Sequence, residues 1–121
     1  MRLFEVSTDS TADLYADYRK KRDIWFAPLS FSFEKDGKIE EYLDNFTSYS
    51  QYVDFYNKVR AKYMPRTAML NYESHVAHFT EMAKAGVKDV LHFSISSGLA
   101  RTTQVAKEAA EEVKKSYPDF N

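Results

Sequence analysis

Residues with chemistry to offer gather at two places in this chain. Ser96, Ser97 and Gly98 stand where an alternating apolar run gives way to a long amphipathic segment, in HFSISSGLARTTQVAKEAAEEVKK from His92 to Lys115. A second hydroxyl-rich run, Ser7-Thr8-Asp9-Ser10-Thr11-Ala12-Asp13-Leu14, follows the first apolar segment. Such a strand-to-helix turn has two uses. Its side chains cap the coming helix, or its outward-facing N–H groups and the positive end of the helix dipole hold an anion. Ser96 and Ser97 would bring hydroxyls to that task, and Gly98 a backbone that a ligand can approach without meeting a Cβ. Arg101, in the first helical turn, opposes the dipole; it suits either an anion held nearby or solvent.

Other chemistry finds less support. His75 and His78 lie three apart, a spacing that suits one helix face, but zinc needs three or four protein ligands and no Cys or carboxylate array completes a set. His92 falls in a strand. Neither Asp9 nor Asp13 has an identifiable His partner for a hydrolase triad, so Asp9 reads as a cap or loop organiser. A glycine-rich phosphate loop is missing. The expectation is no metal and no cofactor.

Composition narrows the class. The 121 residues suffice for one domain with a single core. Lys and Arg number 17 against 18 Asp and Glu, so no net field draws nucleic acid or anionic lipid. With no cysteine, disulfides, thiolate catalysis and Cys-ligated zinc drop out together, as suits a reducing cytosol. The apolar run in MRLFEVSTDS is too brief for a signal-peptide core or a membrane span. A soluble, cytoplasmic protein is expected. Aromatics reach 16%; they either fill a small core or coat a cavity or interface.

The elements that must position these residues follow from periodicity. Arg2–Thr8 reads as a first strand and Leu14–Arg22 as a first helix. Ile24–Phe33 contains Pro28, after which Leu29, Phe31 and Phe33 alternate with serines at the period of a half-buried strand. Asp36-Gly37 marks a hairpin whose return arm is Lys38–Tyr42. From Ser48 the period becomes helical through Tyr52, Phe55, Tyr56, Val59 and Tyr63, until Pro65. Residues 65–70 read as a loop, Asn71 as the N-cap of a third helix that Gly86 stops, Val87–Ile95 as a strand and Leu99–Lys115 as the last helix. Strands separated by helices predict an α/β layered domain with a mainly parallel sheet. In such a sheet, ligands settle beyond the carboxyl ends of the strands.

These residues resemble the N-terminal part of the DegV family of bacterial fatty-acid-binding proteins. VSTDSTADL is similar to that family's strand-end signature, Pro28-Leu29 to its second-strand motif and Tyr42-Leu43-Asp44 to its Tyr-x-Asp. ISSGLARTTQVA resembles its Ser-Ser-Gly-Leu-Ser-Gly-Thr-Tyr-Gln-x-Ala segment. The resemblance implies a three-layer α/β/α domain, its mainly parallel sheet carrying a hairpin arm. It implies a binding protein, not a free-standing catalyst: one long-chain fatty acid held with its tail buried, and in some members presented to a separate fatty-acid kinase. The family's threonine-bearing headgroup loop matches Pro65-Arg66-Thr67-Ala68-Met69-Leu70-Asn71. Carboxylate contacts are thereby carried onto Thr67 and onto Ser96, Ser97 and Gly98, without deciding between the serines. Leu29, Phe31, Leu70 and Leu99 would border the acyl chain.

Departures from the pattern matter too. Ala68 and Met69 stand where the family has Ser and Gln, and Ala100-Arg101 where it has Ser-Gly, so polar headgroup contacts are fewer. Family chains are more than twice as long, so residues 1–121 are expected to be the N-terminal domain alone, with the second domain absent. On that expectation an apolar interdomain face is exposed and self-association follows. A competing assignment remains: a lobe of an enzyme acting on a small phosphorylated or carboxylated metabolite, the same helix N-termini holding its anion.

Overall fold

The computed structural model describes residues 2–121. Its strands form two sheets. β1 (Glu5–Asp9) lies between β2 (Trp25–Ala27) and β6 (Val90–Phe93), all parallel, with Ser7 opposite both Trp25 and His92. β3 (Ser30–Lys35) lies between β4 (Lys38–Leu43) and β5 (Met64–Ala68), all antiparallel. The domain is α/β, and the expected hairpin arm is the core of the second sheet. Asp36 and Gly37 both take positive φ, 53° and 77°, as a two-residue turn matched to strand twist requires.

Pro28 passes the chain from β2 in the first sheet to β3 in the second, and the alternation expected after it is that of β3. The Leu29 N–H, free of any ladder at this break, donates to Ser10 Oγ at 2.9 Å. One expectation needs correction: residues 65–70 are not all loop, because β5 runs through Ala68. Pro65, which has no N–H, is tolerated there because β5 is an edge strand.

Helices α3 (Tyr72–Lys84) and α4 (Thr102–Ser116) pack together on one face of the parallel sheet. Phe79, Met82 and Ala83 of α3 meet Ala106, Ala109 and Val113 of α4, with Phe120 closing the cluster and Trp25 and Val90 beneath it. Alanines at 106 and 109 let the helices approach closely. Asn71 caps α3 as its sequence foretells, its side chain accepting from the Ser74 N–H at 2.8 Å. On the opposite face, Arg19 of α1 (Ala16–Lys21) lies over the Phe26 ring, 3.6 Å from its centroid. Leu91 and Phe93 of β6, which alternate with buried-side His92, are 47% and 53% exposed there.

The second sheet is covered by α2 (Tyr49–Arg60), whose start is a capping box between Ser48 and Gln51. Phe31 and Phe33 point toward this helix and are 7% and 3% exposed. Their rings meet Tyr42, Phe46, Phe55 and Tyr63 at centroid separations of 5.1–6.2 Å, mostly in the edge-to-face geometry that aromatic quadrupoles favour. The aromatic surplus therefore builds a satellite cluster beside the main aliphatic core. No helix among the described residues is long and apolar enough to cross a membrane.

Candidate functional site

Between the two sheets, beyond the carboxyl ends of β1 and β6, lies a cavity of about 400 Å3. Ser10, Thr11 and Asp13 reach it from the turn after β1, and Ile95, Ala100 and Thr102 from the segment between β6 and α4. Leu29, Phe31 and Thr67 reach it from the antiparallel sheet, Asp44 from the end of β4, and Tyr52, Phe55 and Tyr56 from α2. Phe31, Phe46 and Phe55 also line an adjoining cavity of about 500 Å3, shared with Phe33, Tyr42 and Tyr63 and with the polar side chains of Gln51, Asp54, Asn57 and Lys58. One aromatic partition thus separates two chambers that each mix polar and apolar walls.

The polar rim is held by local bonds. Asp9 Oδ1 accepts from the Thr11 N–H at 2.9 Å and from the Thr11 hydroxyl, which fixes the 3-10 turn Ser10–Ala12 and turns its residues toward the chamber. Asp9 is therefore the loop organiser that its position suggests. Across the chamber, Ser94 Oγ and Thr103 Oγ1 are 2.9 Å apart and tie the end of β6 to the first turn of α4. The Asp44 N–H donates to the Leu29 carbonyl at 2.8 Å. Burial pushes the Asp44 carboxyl above its ordinary pKa; the Ser10 hydroxyl and Arg19 pull it back, while Asp13 pushes it further up. Among the described residues no Lys, Arg or His lines the chamber.

The predicted contacts are distributed unevenly. Thr67, Leu29 and Phe31 line the chamber together. Leu70 is buried, at 7% exposure, and is not part of the wall. Ser96, Ser97 and Gly98 occupy an exposed turn whose flanks, Ile95 and Ala100, are wall residues. Leu99, at the tip of that turn, is 75% exposed. The last helix starts at Thr102, not at Leu99, and its N-cap is Arg101, which makes no side-chain capping bond. Helix capping thus does not account for the serines. Ser96 instead closes its own turn, its Oγ accepting from the Gly98 N–H at 3.2 Å and its carbonyl from Leu99 and Ala100. A Cβ built on Gly98 would meet only Ser96 Oγ, at 3.5 Å, so internal packing does not demand glycine there.

Sequence reasoning passed over Ser10, Thr11, Asp44 and Tyr52 as wall residues. The sequence leaves Ser10 and Thr11 open between helix caps and an anion-holding turn, and shows Asp44 only as part of a motif. Periodicity could not show that α2 swings Tyr52 toward Asp44. The histidines, separate along the chain, come together: Ser7 Oγ lies 2.6 Å from His78 Nε2 and 2.9 Å from His92 Nδ1, and the His75 and His92 rings are 5.9 Å apart. Burial holds His78 and His92 down at about 4 and lowers His75 as well. Among the described residues no group of three or more His, Asp or Glu is arranged to hold a metal ion.

A family model described as "Uncharacterised protein, DegV family" matches residues 4–119. A DegV domain-containing protein of Clostridium perfringens is 35% identical over 119 residues, which are 98% of this chain and 39% of the relative. Among solved structures, a stearic-acid-binding protein from Eubacterium ventriosum superposes with a TM-score of 0.75 at 28% identity, over 98% of this chain and 39% of that one. A Thermotoga maritima protein described as revealing fatty acid binding function superposes with a TM-score of 0.73 at 26% identity, over 90% of this chain and 38% of its own. The chain thus spans less than two-fifths of the length of each of these relatives.

Proposed function

Since this chain belongs to the DegV family, we propose that it is the lobe of a long-chain fatty-acid-binding protein that receives the acid's carboxylate at the chamber between the two sheets. The observation that carries this reading is the makeup of the chamber: hydroxyls at the rim, an aromatic partition behind, and no cationic side chain in the wall. Thr67 and the Ser96–Gly98 turn hold the carboxylate, and the tail runs along Leu29 and Phe31. Each hydrogen bond to the charged headgroup contributes about 1.5–3 kcal/mol. Each buried methylene adds about 0.8 kcal/mol, so the chain supplies most of the affinity and the headgroup contacts orient it.

The rival enzyme lobe, acting on a phosphorylated metabolite, fits the chamber less well. A phosphate carries close to two charges at pH 7, and Asp13 and Asp44 line the chamber, whose wall holds no Lys or Arg among the described residues. In the preferred reading the protein carries the acid and performs no chemistry on it, a separate kinase doing so in the cytoplasm. The exposed Leu91 and Phe93 face is where the rest of a full-length protein, or a second copy, packs. Extraction of the purified full-length protein followed by mass spectrometry tests the assignment. Co-purified long-chain fatty acid is expected, and a repeatable polar metabolite in its place would reject it.

A further inference from the structure

Three buried side-chain atoms among the described residues make no hydrogen bond: Asp9 Oδ2, His75 Nε2 and His92 Nε2. They belong to one polar cluster. Ser7 and Asp9 are two apart on β1 and so point to the same face, His92 is the register partner of Ser7 on β6, and His75 and His78 lie on α3 above them. Ser7, Asp9 and His75 are wholly inaccessible to solvent. An unmade hydrogen bond in such an interior is costly, so these orphans call for a partner.

The proton positions follow from counting. His75 Nδ1 lies 3.0 Å from the Asn71 carbonyl oxygen, which can only accept, so Nδ1 carries the hydrogen and Nε2 of the neutral ring is an acceptor. Asp9 Oδ2 is an acceptor. Ser7 has one hydroxyl hydrogen to give and two rings on its oxygen. If it went to His78, His92 would donate from Nδ1 and its Nε2 would become a third bare acceptor, one more than a water's two hydrogens can serve. If it goes to His92 Nδ1, His92 Nε2 carries a hydrogen and the orphans become one donor and two acceptors. That set is the complement of a single water molecule.

We propose that Asp9 Oδ2, His75 Nε2 and His92 Nε2 bind one interior water, which accepts from His92 and donates to Asp9 and His75. Three elements, β1, α3 and β6, are thereby pinned behind the chamber. Asp9 joins this site to the chamber wall, because its other oxygen holds Thr11. One donor and two acceptors are the complement of a water, and among the described residues no group of three or more His, Asp or Glu is arranged to hold a metal ion.

Two measurements on the unmodified purified protein decide it. Long-range proton–nitrogen correlation of the histidine rings at pH 7.5 should find three neutral rings, with hydrogen on Nδ1 of His75 and on Nε2 of His78 and His92. A crystal structure at near-atomic resolution should place one water oxygen about 2.7–3.2 Å from all three atoms. A His92 protonated on Nδ1 overturns the proposal. So does a direct Asp9–His92 bond that leaves no room for water, or anomalous density from zinc at that point after soaking.

Discussion

Thr67 stands directly opposite Phe31 across the β3–β5 ladder, and both side chains line the same chamber. Cross-strand partners in an antiparallel pair share a face, so one register places a hydroxyl beside an aromatic wall. For the intact protein, Thr67→Ala is expected to weaken fatty-acid binding roughly ten-fold or more, the loss of one charge-assisted bond. Thr67 is exposed, so the melting temperature of the ligand-free form should hardly move. Titration of a fluorescent fatty acid together with thermal unfolding checks both; a collapsed apo melting point with unchanged affinity would falsify the headgroup assignment.

Gly98 offers a separate test. Because a Cβ there meets nothing closer than 3.5 Å and no positive φ is involved, Gly98→Ala should leave stability within about 0.5 kcal/mol, as surface substitutions do. Fatty-acid affinity should fall nonetheless if the turn's backbone approaches the headgroup. Unchanged affinity would remove Gly98 from the binding surface.

Acid should unfold the protein early. His78 and His92 titrate near 4 in the folded state against an ordinary 6.5, mainly through burial, with neighbouring histidine charge adding to it, and His75 is lowered too. Between about pH 6.5 and 4 the unfolded chain therefore binds protons that the folded one refuses. Stability is full above 6.5 and drops as pH falls through that window, by up to about 1.4 kcal/mol per pH unit for each ring involved. Denaturant unfolding at stepped pH measures the slope. A His78→Gln variant should flatten it.

The α3–α4 contact is tight enough to resist enlargement. Ala109 is fully buried against Phe79 and Met82, so Ala109→Leu is expected to cost about 1–3 kcal/mol through overpacking. Met82→Ala, which removes a side chain with no exposure, should cost about 2–5 kcal/mol. Urea midpoints with an unchanged slope would register both as losses of stability alone.

Much of this molecule is readable along the chain, because helix periodicity, caps and turn chemistry act over a few residues. The Asp36-Gly37 hairpin, the Asn71 cap, the α2 stripe through Tyr52 and Phe55, and the α4 stripe through Ala106, Ala109 and Val113 all stand where local pattern puts them. The motif around Ser96–Gly98 and the one around Asp9–Asp13 likewise declare themselves as strand-end turns. What local pattern could not decide was pairing over distance. β5 exists because β3 offers its edge, and the chain on either side of Pro28 joins different sheets. Only the folded chain brings Ser7 and Asp9 together with three histidines up to 85 residues away, or closes Phe31, Phe46 and Phe55 into the wall between two cavities. Burial and hydrogen-bond partnership across such separations are properties of packing, and no spacing along the sequence encodes them.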